Sequence, residues 1–155
     1  MSERALSPVV GCLLLTAITV AGAVIVGAAV AVDPPSTAPA ASFDAEAEAD
    51  GTVRLTHQSG AAIAPESLRV RVRVDGEPLD TQPPVPFFSA RGFESGPTGP
   101  FNSATTGDWR AGETASFRIA GTNDPTLYAG ASVEIRLYAR GHEIAELTVT
   151  ARGSE

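Results

Sequence analysis

A long apolar helix followed by an all-β, immunoglobulin-like sandwich, α+β in class, is what this chain of 155 residues predicts. Three observations carry the expectation. Apolar residues crowd into the first 32 positions, and a stretch rich in Pro, Ala and Ser follows them. Beyond it the apolar residues recur with period two between turn signals, and no segment of helical period competes.

The helix comes first. No charged side chain occurs from Ala5 to Val32, and Leu6 to Val32 makes 27 residues. At ~1.5 Å per residue they would reach ~40 Å, more than the ~30 Å of bilayer hydrocarbon. Pro8 fits the first turn, where its missing N–H would be an orphan. Asp33, Pro34 and Pro35 stop the pattern. The expectation is a segment that enters a membrane as a single pass, with the C-terminal domain outside. Ala23, Gly27 and Ala31 fall at i, i+4 and i+8, a face of small residues that lets another backbone approach closely, and Ala17 and Ala21 make a second row. With Gly11 these are the candidate helix-packing positions.

Residues 33–42 read as a semi-rigid, extended spacer. Phe43, Ala45, Ala47 and Ala49 then alternate with Asp44, Glu46, Glu48 and Asp50, and Asp50-Gly51 signals a turn. Val53 to Gln58 resumes as a strand. Leu68, Val70, Val72 and Val74 alternate with Arg69, Arg71 and Arg73 and end at Asp75-Gly76, the clearest hairpin signal. Strands are also expected over Thr114–Ala120, Ser132–Ala139 and, after a tight Arg140-Gly141 turn, His142–Thr150. Many short strands separated by turns argue for the sandwich, spanning 43–153.

Between about 80 and 108 lies an insertion holding Pro83, Pro84, Pro86, Pro97 and Pro100. It also carries four of the six Phe: Phe87, Phe88, Phe93 and Phe101. A loop this long is uncommon in a compact domain unless it serves a function. Its rings either tuck onto the sandwich as added core or form a surface patch for subunit contact or adhesion.

Charge excludes some functions. The formal charge is −7, from 18 acids and 11 bases, and every base is Arg. No basic stripe is available to neutralise phosphates, so nucleic acid is not an expected partner. One Cys allows neither an internal disulfide nor a Cys-cluster metal site, and two His, at 57 and 142, argue against a His-rich centre. Both His are expected to be exposed or locally hydrogen-bonded. The row Asp44, Glu46, Glu48 and Asp50 does not converge as a Ca²⁺ site requires. It is expected as a solvated face, or as a row opposed to Arg69, Arg71 and Arg73 if the two strands pair. No nucleophile–base, zinc-protease or phosphate-loop motif is present, so neither catalysis, metal nor cofactor is expected.

Arg4-Ala5-Leu6-Ser7-Pro8-Val9-Val10-Gly11, followed by Leu13-Leu14-Leu15-Thr16-Ala17-Ile18-Thr19-Val20, resembles the amino terminus of archaeal type IV pilins, particularly haloarchaeal ones, with their class III signal peptide. Cys12 departs from that pattern, where an aliphatic residue is usual. The resemblance implies removal of residues 1–5 by a prepilin peptidase, with Arg4, Ala5, Leu6, Ser7 and Pro8 around the cut. It further implies assembly with other pilins through the apolar helix, an assembly ATPase and platform protein as machinery, and a surface filament supporting adhesion. Membrane lipid would surround the helix before assembly. A weaker similarity to haloarchaeal pilin globular domains runs through Val53-Arg54-Leu55-Thr56-His57, Leu68-Arg69-Val70, Trp109-Arg110-Ala111-Gly112-Glu113 and Ala129-Gly130. The absence of Lys and the many acids resemble haloarchaeal proteomes. Two alternatives remain at this stage: a membrane-tethered, immunoglobulin-like binding domain that never polymerises, and a soluble secreted domain released after Ala31. A lipoprotein fate at Cys12 fits poorly, because the apolar run follows the Cys.

Overall fold

The computed structural model describes residues 6–30 and 38–153, and within the first of these stretches the side chains of residues 8–21. The chain divides into two compact units, Met1–Thr37 and Ala38–Glu155.

The first unit contains a helix, α1, over Leu6–Val30. Thr16 and Thr19 donate their hydroxyls to the carbonyls of Cys12 and Leu15, at 2.8 and 2.7 Å. Both polar groups are thereby turned onto the helix's own backbone. Among the described residues no helix is long and apolar enough to cross a membrane. This corrects the expected long, membrane-spanning helix and the single-pass placement that followed from it. The stretch whose side chains are described, Pro8 to residue 21, is about 14 residues. At ~1.5 Å per residue it rises ~21 Å, short of a ~30 Å hydrocarbon layer. The class is corrected too: strand makes up 43% of the described structure, which is mostly β rather than α+β.

The second unit is β-sandwich-like. Its strands are β1 (Ala41–Ala47), β2 (Thr52–Gly60), β3 (Leu68–Val74), β4 (Glu77–Pro78), β5 (Thr114–Arg118), β6 (Ser132–Ala139) and β7 (His142–Thr150). One sheet has the order β1-β2-β5 and the other β4-β3-β6-β7, and the strand pairs are antiparallel. Alternation explains why these residues make strands: in β3 every Leu or Val is buried and every Arg exposed, and in β1 Phe43, Ala45 and Ala47 are buried while Asp44 and Glu46 face out. Two hairpins use residues in the left-handed region. Asp75 and Gly76 (φ 51° and 84°) join β3 to β4, and Arg140 and Gly141 (φ 53° and 84°) join β6 to β7. Positive φ at both central positions matches the right-handed twist of the flanking strands.

The expected pairing of the acidic strand with the arginine strand does not occur, because β1 and β3 lie in different sheets. Exposed charge pairs contribute only ~0.2–1 kcal/mol each, too little to set strand order against the burial of apolar faces. The acids instead find nearer arginines. Glu46 pairs with Arg152 at 3.5 Å, Asp50 with Arg118 at 2.9 Å, and Glu48 with Arg54.

The long insertion supplies much of the core. Phe101 and Trp109 are fully buried, and Phe87 and Phe93 nearly so. Phe101 meets Trp109 edge-on at 5.2 Å and Phe117 at 6.0 Å, while Phe93 meets Phe117 edge-on at 5.7 Å and Phe87 at 5.7 Å. Trp109 continues to Phe43 and to His57, which stack on each other at 4.9 Å. His57 is therefore inside, between the carbonyl oxygens of Trp109 (3.2 Å) and Ser59 (3.1 Å), and not at the surface. The insertion also covers the free edge of β5, with bridges from Thr98 to Ser116 and from Phe93 to Ile119. An edge covered in this way offers no template for another strand.

Two amides, Asn123 buried and Gln82 half-buried, anchor the insertion. Asn123 accepts from the Thr81 N–H at 3.0 Å and donates to the Thr81 and Gly92 carbonyls at 2.9 and 3.2 Å. Gln82 accepts from the Val72 N–H at 2.7 Å and donates to the Val72 carbonyl at 3.0 Å, standing in for a partner strand.

Phe101→Ala should cost about 3–5 kcal/mol of unfolding free energy, whereas Phe88→Ala should stay within about 0.5 kcal/mol. Urea titration followed by Trp109 fluorescence measures both.

Candidate interaction surfaces

Three surfaces stand out. The first is α1 itself. Leu13, Leu15 and Ile18 are 66%, 71% and 70% exposed, and Val9, Val10, Leu14 and Val20 are more than half exposed. These residues point in every direction around the axis, so the helix has no polar face. A helix apolar all round is one that something else covers. Gly11 leaves open space where a Cβ would stand, and Cys12 is exposed.

Of the candidate helix-packing positions, Gly11, Ala17 and Ala21 fall among residues whose side chains are described, and all three are exposed. The side chains of Ala23 and Gly27, and Ala31 altogether, lie outside the described residues. So do Arg4 and Ala5 and the side chains of Leu6 and Ser7; Pro8 is exposed in the first turn of α1.

The second surface is the tip of the insertion. Phe87, Phe93 and Phe101, candidates for surface contact, lie within the core because their backbone folds over the open side of the sandwich. Phe88 alone of the four faces outward, 61% exposed. A single exposed ring is ordinary for a protein surface.

The third was not singled out as a site from the sequence. Outward-facing residues of the four-stranded sheet form three rows across β3, β6 and β7: Arg69–Tyr138–Glu143, Arg71–Arg136–Glu146 and Arg73–Glu134–Thr148. Arg136 is ion-paired within the face. Its Nε lies 2.8 Å from Glu134 Oε1, and its Nη2 donates to Glu146 Oε1 at 3.2 Å. Arg69, Arg71 and Arg73 have no carboxylate partner among the described residues, and Arg71 sits directly across from Arg136. Like charges in register are unfavourable, so this face is not arranged for stability alone. Two shallow hollows of about 480 and 590 Å³ flank it and meet at Arg71 and Tyr138. The alternation of Arg69, Arg71 and Arg73 was visible in the sequence; the strand that faces them was not.

Among the described residues no group of three or more His, Cys, Asp or Glu could hold a metal ion. The most evident electrostatic device is a clasp at the β3–β4 turn. Asp75 accepts from the Tyr128 hydroxyl at 2.6 Å and from the Ser132 N–H at 2.9 Å. The Tyr128 hydrogen bond, then that from Ser132, holds the Asp75 carboxyl below the ordinary carboxylate range, and the same bond pushes the Tyr128 hydroxyl up.

No family model matches this chain, and no curated protein matches it either.

A carboxyl whose folded pKa is lowered contributes stability where it is ionised in both states, and that contribution is lost as pH falls through the folded value. Asp75→Asn should therefore lower Tm at neutral pH, with the gap from the unaltered chain closing below pH ~4. A series of melts between acid and neutral pH checks the sign.

Proposed function

We propose that the chain is the structural subunit of a type IV pilus-like filament, assembled with its own copies through the apolar helix α1 and supporting adhesion. The supporting observation is the helix surface: seven large aliphatic residues between Val9 and Val20 are exposed, and both threonine hydroxyls are turned inward onto the backbone. Burying a side chain of this size is worth roughly 1.5–3 kcal/mol, so covering α1 with neighbouring helices releases on the order of 10 kcal/mol. Exposed Gly11, Ala17 and Ala21 let those neighbours come close. The sandwich is the folded bulk of each subunit, with buried apolar residues running from Phe43 to Ala151.

The amino-terminal sequence Arg4-Ala5-Leu6-Ser7-Pro8 supports removal of a short leader by a prepilin peptidase, which makes Leu6 the first residue of the mature subunit. An assembly ATPase and a platform protein belong to the same reading.

Amino-terminal peptide mass spectrometry of the sheared filament fraction should find chains beginning at Leu6; chains beginning at Met1 or Ser2 in that fraction would overturn the proposal. Leu15→Asp with Ile18→Asp should abolish sedimentable filaments while leaving the melting of the sandwich unchanged.

A further inference from the structure

We infer that the outer face of the four-stranded sheet is a two-fold docking surface for the same face of a second copy of this chain. This contact is separate from helix-driven assembly and does not depend on it.

The register carries the argument. Across the face the unpartnered arginines Arg69, Arg71 and Arg73 lie on β3, the carboxylates Glu143 and Glu146 lie on β7, and β6 runs between them. Consider two such faces packed together, related by a two-fold axis parallel to the strands and passing over β6. The operation exchanges the β3 side of one copy with the β7 side of the other and keeps each row at its own height. Arg69 then stands opposite the second copy's Glu143, and Arg71 opposite its Glu146. Arg73 meets Thr148, and along the axis Tyr138, Arg136 and Glu134 each meet their own counterpart, Arg136 and Glu134 as a charge pair that is already balanced within each copy. An isologous contact requires such self-complementarity, in which a residue's partner on one copy is its partner on the other. Glu146 offers Arg136 only its Oε1, so the second oxygen remains for a guanidinium from the second copy.

Two further observations favour a second copy over a linear polyanion. Arg69, Arg71, Arg73 and Arg140 share the flanking hollows with Glu66 and Asp80, and Glu143 lies in the same rows. A strip of mixed sign repels part of any uniformly negative polymer and suits a partner of mixed sign. In addition, the chain carries −7 overall, so two copies repel at most orientations, and this face is where opposite charges would meet.

Size sets the strength of the contact. Three strands ~4.8 Å apart, seven to nine residues long at ~3.4 Å each, with the two residues of β4 beside them, give a projected face of about 400 Å². Stable interfaces bury about 800 Å² per partner. The pair is therefore weak and concentration-dependent, with Arg and Tyr, residues that commonly dominate binding energy, at its centre.

The test uses the full chain in detergent solution with Cys12→Ser, so that one introduced thiol is present. Tyr138→Cys should give a covalent dimer with a short bismaleimide, and Thr56→Cys, on the outer face of the other sheet, should give at least tenfold less. Adding Arg69→Glu with Arg71→Glu should abolish the Tyr138→Cys dimer, as should Glu143→Arg with Glu146→Arg. Mixing the two charge-reversed proteins should restore it as a heterodimer. Equal cross-linking at positions 56 and 138, or no recovery on mixing while both proteins melt normally, would overturn the inference. It would likewise be overturned if the unaltered chain stayed monomeric and were retained on dextran sulfate through Arg69 and Arg71. Should a reversal prevent folding, Arg69→Gln with Arg71→Gln serves in its place, with loss of the dimer again expected. Filament loss through Leu15→Asp and Ile18→Asp is read on different residues, so failure of one proposal leaves the other standing.

Discussion

The sandwich depends on filling the space between a three-stranded and a four-stranded sheet whose inward residues are mostly Ala and Val. Ala45, Ala47 and Ala115 on one side and Val70, Val72, Val74 and Val133 on the other are small, and alone they would leave the layers underpacked. Rings bring the missing volume: Phe87, Phe93 and Phe101 arrive from the insertion, Trp109 from just after it, and Phe43, His57 and Phe117 from the three-stranded sheet. The insertion is thus part of the core and not an appendage to it. Its anchors, Asn123 and Gln82, satisfy backbone groups that a neighbouring strand would otherwise satisfy, which explains why two neutral amides sit where apolar side chains might be expected.

Small residues inside and charges outside divide the labour of the two sheets. On the three-stranded sheet Glu46, Glu48 and Asp50 are each matched by an arginine within the chain. On the four-stranded sheet Arg136 alone is matched among the described residues, and β3 presents a row of guanidinium groups to whatever approaches. The helix presents the opposite chemistry, a surface without any charge. The two surfaces are incomplete in different ways, one apolar and one polar.

Association through α1 and association through the four-stranded sheet differ in physical character. Apolar contact between helices is favoured by area and is largely indifferent to salt. Pairing across the sheet face relies on exposed charges that salt screens, with a Debye length of ~8 Å at physiological ionic strength. Ionic strength therefore separates the two, and a subunit that used both would hold one contact constant while adjusting the other.

By itself the sequence determined the strand positions, because alternation ties each side chain to one face: Leu68–Val74, Ser132–Ala139 and His142–Thr150 are read directly from it, and Asp75-Gly76 and Arg140-Gly141 mark their turns through the left-handed backbone those turns require. Tertiary structure decided everything that rests on which strand lies beside which. The acidic row along β1 and just after it met Arg54, Arg118 and Arg152 rather than the arginines of β3, since surface charges are too weak to choose a neighbour. Phe88 was left outside and Phe87 inside, because local sequence does not say how an aperiodic, proline-rich loop will lie. The face formed by Arg69, Arg71, Tyr138, Glu143 and Glu146 comes from three strands and exists only once their register is set.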